Sequence, residues 1–328
     1  MKIGVVGCGA LGSYYGGLLC RAGHETHFLL RSDFETVQHK GVHVESPNGD
    51  FHFKPHAHDH PEDIGQCDLV LIGLKTTAND VFPALLPPLV GPDTTLLTLQ
   101  NGLGNEESLR ALFPDTHLVG GLCFVCLNRT APGRIRHMDH GLIVMGEYEG
   151  SFRPFTMKLE ECFKQAGIPC KLTENLSQAH WEKLMWNIPF NGLGVAGSLG
   201  HAAFEIQPDG LRSLSGCDCL DANALLGDAN WEARVRGLMR EVRSAALKLG
   251  HFIEADFESK LIERTRTMGP YKASTIIDYE KGLPLEINSL FEEPLKQAKA
   301  ANAETPILER LTLILRELQY RQDASTQT

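Results

Sequence analysis

The order of apolar and polar positions changes character along the chain. Lys2-Ile3-Gly4-Val5-Val6 is a short apolar run of the kind buried as a parallel strand, and it leads into Gly7-Cys8-Gly9-Ala10-Leu11-Gly12. Helical spacing follows from Leu11 to Gly23, and a second apolar run, Thr26 to Leu30, completes a strand–helix–strand unit. Two more such runs, Asp68 to Leu74 and Thr94 to Leu99, end at Lys75 and at Gln100-Asn101-Gly102-Leu103-Gly104. From Leu118 to Glu147 the pattern predicts strands joined by tight turns at Ala131-Pro132-Gly133 and Asp139-His140-Gly141, as antiparallel additions to the sheet. Pro154 to Gly167 reads as a helix, and from about Ser177 helix follows helix. In one of them, near Trp231 to Gly250, Leu238, Val242, Ala245 and Leu249 share a face. Another begins at Thr305-Pro306, a capping residue followed by proline at the first helical position.

Alternating short strands and helices predict an α/β class. The expected arrangement is an N-terminal Rossmann-type doubly wound sheet over 1–175, an all-helical C-terminal domain over 176–320, and a polar tail over 321–328. In the glycine-rich turn, Gly7 permits the tight bend and Gly9 lets a pyrophosphate approach the backbone. Gly12 allows the helix to pack closely on the strand, and Cys8, Ala10 and Leu11 bring the helix N-terminus with its bare N–H groups to the phosphates. An NAD site usually ends the second strand in an acid; here Leu29-Leu30 ends in Arg31, with Ser32 beside it. A fixed cation there suits a 2′-phosphate, which favours NADPH/NADP. The other reading makes Arg31 an exposed loop cation and gives the ribose to Asp33. Lys75 and Asn101 stand at strand ends where such sheets bind ligands.

Composition narrows the class without changing it. The chain has 328 residues, 42% of them hydrophobic, which is enough for two cores. No run approaches the ~20 apolar residues of a membrane span, and a strand starting at residue 2 leaves no room for a cleaved leader, so a cytoplasmic protein is expected. A net charge of −10 offers no basic field to nucleic acid or an anionic membrane. Nine cysteines without a secretion signal read as reduced thiols, and Cys123-x-x-Cys126 and Cys217-x-Cys219 lack a second ligand pair for zinc. His56, His58 and His60, with His52 nearby, are expected to be exposed loop histidines, and no metal is expected.

The candidate chemistry lies in Trp181-Glu182-Lys183-Leu184-Met185-Trp186-Asn187-Ile188-Pro189-Phe190-Asn191. Lys183, Asn187 and Asn191 are spaced by four and line one side of a helix. A lysine withdrawn from water has its pKa lowered, as a general acid near neutral pH needs. The competing reading is a solvated polar face. Pro189 removes the hydrogen bond to Met185 and is expected to kink the helix between the two asparagines. A second polar cluster comprises Lys272-Ala273-Ser274 and Leu283-Pro284-Leu285-Glu286-Ile287-Asn288. In it Glu286 is either a helix-start carboxylate or a substrate acceptor, with capping the favoured role.

Taken together, KIGVVGCGALG, the Leu29-Leu30-Arg31 strand end, Leu74-Lys75, Gln100-Asn101-Gly102, the Lys183/Asn187/Asn191 ladder and the Ser274 to Glu286 spacing resemble the ketopantoate reductase family over nearly the whole chain. That resemblance implies NADPH-dependent reduction of the ketone of 2-dehydropantoate to (R)-pantoate, on the route to pantothenate and coenzyme A. It implies Lys183 as the catalytic acid, Asn187 and Asn191 as substrate hydrogen-bonders, Ser274 as donor to the substrate carboxylate and Glu286 as acceptor for its hydroxyl. Asn101 would lie between cofactor and substrate, and Arg31 and Lys75 would hold the adenosine phosphate end. Departures are Ala78 in place of a polar residue, Asn288 in place of aspartate, Phe291-Glu292 where Asn-Gly is common, and a longer stretch between His201 and Trp231. That stretch is a candidate either to reshape the mouth of the substrate site or to contact a second subunit in a homodimer. Two other functions share the architecture: a reductase of another 2-oxo acid or imine, and a non-catalytic NADP(H) sensor.

Overall fold

The computed structural model describes residues 1–326, and these divide into two compact units, Met1–Ala179 and the chain from His180 onward. The first unit carries every strand: β1 Lys2–Val6, β2 Glu25–Leu29, β3 Val42–Glu45, β4 Phe51–Phe53, β5 His56–His58, β6 Leu69–Ile72, β7 Thr95–Thr98, β8 His117–Ala131, β9 Arg134–Glu147 and β10 Cys170–Leu172. Its helices are α1 Ala10–Arg21, α2 Phe34–Lys40, α3 Phe82–Leu85, α4 Asn105–Leu112 and α5 Pro154–Gln165. α6, Leu176–Asn187, begins in this unit and ends in the next.

Six strands run parallel in the order β5-β2-β1-β6-β7-β8, with β1 at the centre, which is the 3-2-1-4-5-6 order of dinucleotide-binding sheets. β6 is apolar along its length and β7, with a threonine at each end, is buried throughout, because both sheet faces are covered; Ile3, Val5, Leu69, Leu71 and Leu97 are fully buried. Beyond β8 the sheet turns mixed: β9 is antiparallel to β8, and β3 pairs β9 in parallel and β4 in antiparallel. The expected antiparallel addition is therefore present as one long hairpin, turned at Pro132-Gly133. Asp139-His140-Gly141 is not a turn. The register slips from Phe124↔Leu142 to Val125↔His140, leaving Gly141 as the extra residue of a bulge, with His140 at φ 62° and Gly141 at φ 139°. Glycine and a turn-prone neighbour satisfy a bulge and a turn alike, which is why the string misleads.

His56 is exposed as expected and His58 half-buried, but neither is in a loop. They lie on the edge strand β5, where His58 Nε2 is 2.9 Å from His27 Nδ1 and His56 stacks on His27 with ring centroids 4.8 Å apart. His27 is itself 2.8 Å from Glu25.

The second unit is helical. After α6 come a π-helical turn over Ile188–Leu193, then α7 Gly194–Ala196, α8 Ala222–Gly227, α9 Ala229–Lys248, α10 Phe257–Arg266, α11 Ser274–Glu280, α12 Glu293–Ala300 and α13 Pro306–Thr326. α9 buries Leu238, Val242 and Ala245 as its spacing predicts. Thr305 does not cap α13 through its side chain. Its hydroxyl is buried without a partner among the described residues, and the Glu241 carboxylate of α9 instead accepts the Ile307 and Leu308 N–H groups, each at 2.9 Å. α13 also runs on through residues read as tail: Arg321 donates to the Leu214 carbonyl at 2.9 Å, and the helix continues through Thr326, the last described residue. The remainder of the tail, 327–328, lies outside the described residues. The segment between His201 and Trp231 is fastened to α13, with Arg310 donating to the Ala203 and Ile206 carbonyls at 2.6 Å each.

Candidate active site

In the first unit the strand ends assemble one polar surface. Gly7 has φ 92°, and a Cβ there would come 2.2 Å from the Leu74 nitrogen; at Gly12 it would come 2.3 Å from the Gly7 carbonyl oxygen. Both positions exclude any side chain. A Cβ at Gly9 would meet nothing within 4 Å, so the loop backbone faces open space where a ligand can approach it. No acidic residue stands in the first turn of α1, leaving its N–H groups to an anion. Ser13 Oγ donates to the Cys8 carbonyl at 2.9 Å and steadies the loop. Cys8 Sγ lies 3.3 Å from the Val5 carbonyl, and burial pushes its thiol well above the usual range. Ala10 and Leu11 are half-buried against the core.

Lys75 and Asn101 follow β6 and β7, adjacent in the sheet, and a chain of amides ties the two ends together. Gln100 Nε2 donates to the Leu74 carbonyl at 3.1 Å and to Asn79 Oδ1 at 2.7 Å. Asn79 Nδ2 donates to Asn105 Oδ1 at 3.0 Å, and Asn105 Nδ2 to the Asn101 carbonyl at 3.0 Å. Thr98 completes it by donating to Gln100 Oε1 at 3.0 Å. Asn79 and Asn105 have no counterpart among the candidates read from the sequence. Their signal was a polar residue shortly after each strand end, a pattern shared by ordinary turns.

Arg31, past the end of β2, is exposed, whereas Asp33 is buried. Both Asp33 carboxylate oxygens are taken: Arg129 holds them through Nε at 3.0 Å and through Nη2, the Gly133 N–H donates at 3.2 Å and Ser32 Oγ at 3.1 Å. Burial alone would raise the Asp33 carboxyl, but the guanidinium and the two other donors outweigh it and hold it below the ordinary range.

In the second unit Lys183 is half-buried, while Asn187, Asn191 and Glu286 are buried. The break expected at Pro189 takes the form of the π-turn. A step of four overshoots a turn of α-helix by about 40° but falls short of a π-turn, so the two drifts oppose and Asn191 returns toward the line of Lys183. Asn191 Oδ1 accepts the Thr275 N–H at 3.0 Å and faces Ser274 Oγ at 3.5 Å, joining the ladder to the start of α11. Trp186 backs the segment, stacked on Phe190 and donating to Thr265 Oγ1 at 3.0 Å. Glu286 immediately precedes the helical backbone at Ile287, and its carbonyl accepts the Leu290 N–H at 3.2 Å. A second π-turn, Asn288–Glu292, follows, with Asn288 exposed and Phe291 fully buried. Lys272 stands apart, in an exposed ion pair with Glu280 at 2.7 Å. All nine cysteines are free, and Cys123 and Cys126 are buried on β8. Asp59, His60 and Asp63 bring ligand atoms within 4.8 Å of one another, but all three are exposed.

Comparison with known proteins points to one family over most of the chain. Residues 3–150 match the family model "Ketopantoate reductase PanE/ApbA", and residues 209–319 match its C-terminal counterpart. A 2-dehydropantoate 2-reductase of Nostoc sp. is 37% identical over 311 residues, covering 93% of this chain and 91% of its own. The crystal structure of a 2-dehydropantoate 2-reductase from Geobacter metallireducens superposes with a TM-score of 0.87 at 40% identity, covering 97% of this chain and 99% of that one. A D-mandelate dehydrogenase solved with NADH and anilino(oxo)acetate shares the fold, with a TM-score of 0.84 at 17% identity over 98% of this chain and 99% of its own. No helix of the described residues is long and apolar enough to cross a membrane. With both parts of the chain matched in order, this protein, an oxidoreductase, belongs to the ketopantoate reductase family.

Proposed function

We propose that the protein reduces 2-dehydropantoate to (R)-pantoate with NADPH, the reduction that serves pantothenate biosynthesis. The observation that carries this reading is the match of both units to one family. The first unit suits a dinucleotide: the open backbone at Gly9 and the acid-free start of α1 would take the pyrophosphate, and Arg31 and Lys75 the adenosine phosphates. Asp33 is engaged on both oxygens, so the end of β2 offers an exposed cation rather than a ribose-binding acid, which supports NADPH over NADH.

NADPH supplies the hydride when bound. In this reading Lys183 Nζ gives its proton to the carbonyl oxygen of the 2-oxo acid, and its charge stabilises the alkoxide as it develops. Asn187 and Asn191 orient the substrate, Ser274 Oγ donates to its carboxylate and Glu286 accepts from its hydroxyl. Asn101, held through Asn105, stands on the cofactor side. The residues' share of catalysis is alignment and charge placement.

The test is loss of reduced-nicotinamide absorbance with purified protein and 2-dehydropantoate, run with NADPH and NADH and beside other 2-oxo acids. Turnover on 2-dehydropantoate with kcat/KM of about 10⁴ M⁻¹s⁻¹ or more, and preference for NADPH, is expected. Tight NADPH binding without turnover on this substrate would overturn the substrate assignment.

A further inference from the structure

Asp33 is a carboxylate beside the strand end at which a dinucleotide-binding sheet chooses between two riboses, yet it is buried and fully engaged. Besides the neighbouring Ser32, its partners come from far along the chain: Arg129 is on β8 and Gly133 in the β8–β9 turn, 96 and 100 residues away. The guanidinium lies against both oxygens in a two-pronged pairing. The pair is also polarised in exposure, for the Arg129 side chain is 39% exposed and that of Asp33 9%. The outward face of the pair is therefore the cation. Without Arg129 the same place would hold a buried carboxylate one residue beyond Ser32, close to Arg31 in the chain.

We infer that Arg129 is a positioning residue for cofactor choice: by sequestering Asp33 it keeps a negative charge from the 2′-phosphate and prevents that carboxylate from accepting ribose hydroxyls. The inference rests on the NADPH reading above. Arg31 attracts the phosphate directly, whereas Arg129 acts through Asp33. A charge released beside a phosphate held at Arg31 is expected to weaken NADPH by about tenfold at an interfacial dielectric, and to leave NADH unchanged or improved.

The experiment is a double-mutant cycle read by equilibrium binding of NADPH and NADH, through nicotinamide fluorescence, and by displacement with 2′-AMP. Arg129→Met is expected to lower the NADPH:NADH affinity ratio by about tenfold, Asp33→Asn to leave it equal or higher, and the double variant to restore it to within about threefold, because the pair is again neutral. Arg129→Lys, which keeps the charge with a poorer fit, is expected to fall between wild type and Arg129→Met. Circular dichroism of each variant separates binding from folding. If Arg129→Met does not fold, the sign for Asp33→Asn still decides: a lowered ratio there overturns the inference. An unchanged ratio in folded Arg129→Met, with both cofactors weakened equally, reduces the pair to a structural brace and overturns it too. Equal NADPH and NADH affinity in the wild type would instead remove the NADPH reading on which the inference stands.

Discussion

The loop joining β1 to α1 and the segment from Lys183 to Asn191 are both candidate binding surfaces, but they are made in opposite ways. In the loop, backbone shape is the device: Gly7 and Gly12 have no room for a Cβ, and the atoms that exclude it belong to Gly7 itself and to Leu74 at the end of the adjacent strand. In the helical segment, side chains are the device. Asn191 is held against Ser274 and Thr275, which lie 83 and 84 residues away. The first surface is dictated by sterics that allow one residue type, the second by polar groups that must be satisfied wherever the chain folds. Mutations should therefore separate the two, with fold lost first in one and chemistry lost first in the other.

The largest expected effect is on chemistry in the second region. Lys183→Ala is expected to lower kcat by about 10²–10⁴-fold, the range for a positioned proton donor. NADPH affinity and Tm should stay near wild type, since this side chain is only half-buried. A variant with wild-type turnover would remove Lys183 from its role and leave the ladder as a solvated face.

In the loop the order reverses. Gly7→Ala combines a φ of 92° with a 2.2 Å approach to the Leu74 nitrogen, so it is expected to cost about 3 kcal/mol or more in urea unfolding. Gly9→Ala meets nothing within 4 Å and should change stability by no more than about 0.5 kcal/mol, while weakening NADPH by partly filling the cradle. Equal stability losses at the two glycines would break the comparison.

This contrast also explains what could be read in advance. The strand–glycine–helix entry follows from glycines that only one local geometry accommodates, and the parallel strands from short apolar runs buried on both faces. The bulge at Gly141 and the edge strand at His56–His58 did not, because glycine and histidine fit several backbone settings and sheet pairing chose among them. Thr305 had the signature of a cap, yet Glu241 reaches in from α9 and takes those N–H groups. The amides Asn79 and Asn105 were missed for a related reason: a polar residue after a strand end looks like an ordinary turn until its partner from another element is known. For the ladder, the spacing of four was legible, but its straightening by a π-turn at Pro189 was not, since proline equally permits a kink.

Asn191 tests whether the second region is also braced by its polar groups. Asn191→Ala leaves the buried Thr275 N–H without its acceptor and is expected to cost about 1–3 kcal/mol. Asn191→Asp keeps an acceptor oxygen but buries a carboxylate, so it should lose at least as much at pH 7 and less at acid pH, where the new group is neutral. Thermal unfolding of both variants checks this, and a loss below about 0.5 kcal/mol in Asn191→Ala would mean α11 begins correctly without it.

The smallest effect sharpens the comparison from the side of its exception. Asp33 lies in the same unit as the loop, just past the end of β2, yet it is satisfied by Arg129 from a distant strand, so it should behave as a tertiary contact. Its folded carboxyl is held below the ordinary value of 3.8. As pH falls, the unfolded chain takes up the proton first, which favours unfolding. The stability that Asp33 contributes is thus complete above the ordinary value and is lost as pH falls through it toward the lowered folded value. Urea unfolding of wild type and Asp33→Asn is expected to show wild type ahead at pH 7 and the gap closing below about pH 4. A gap that stays constant down to the acid limit would mean that the charge on Asp33 contributes nothing, and that its place at the end of β2 is fixed by the local chain after all.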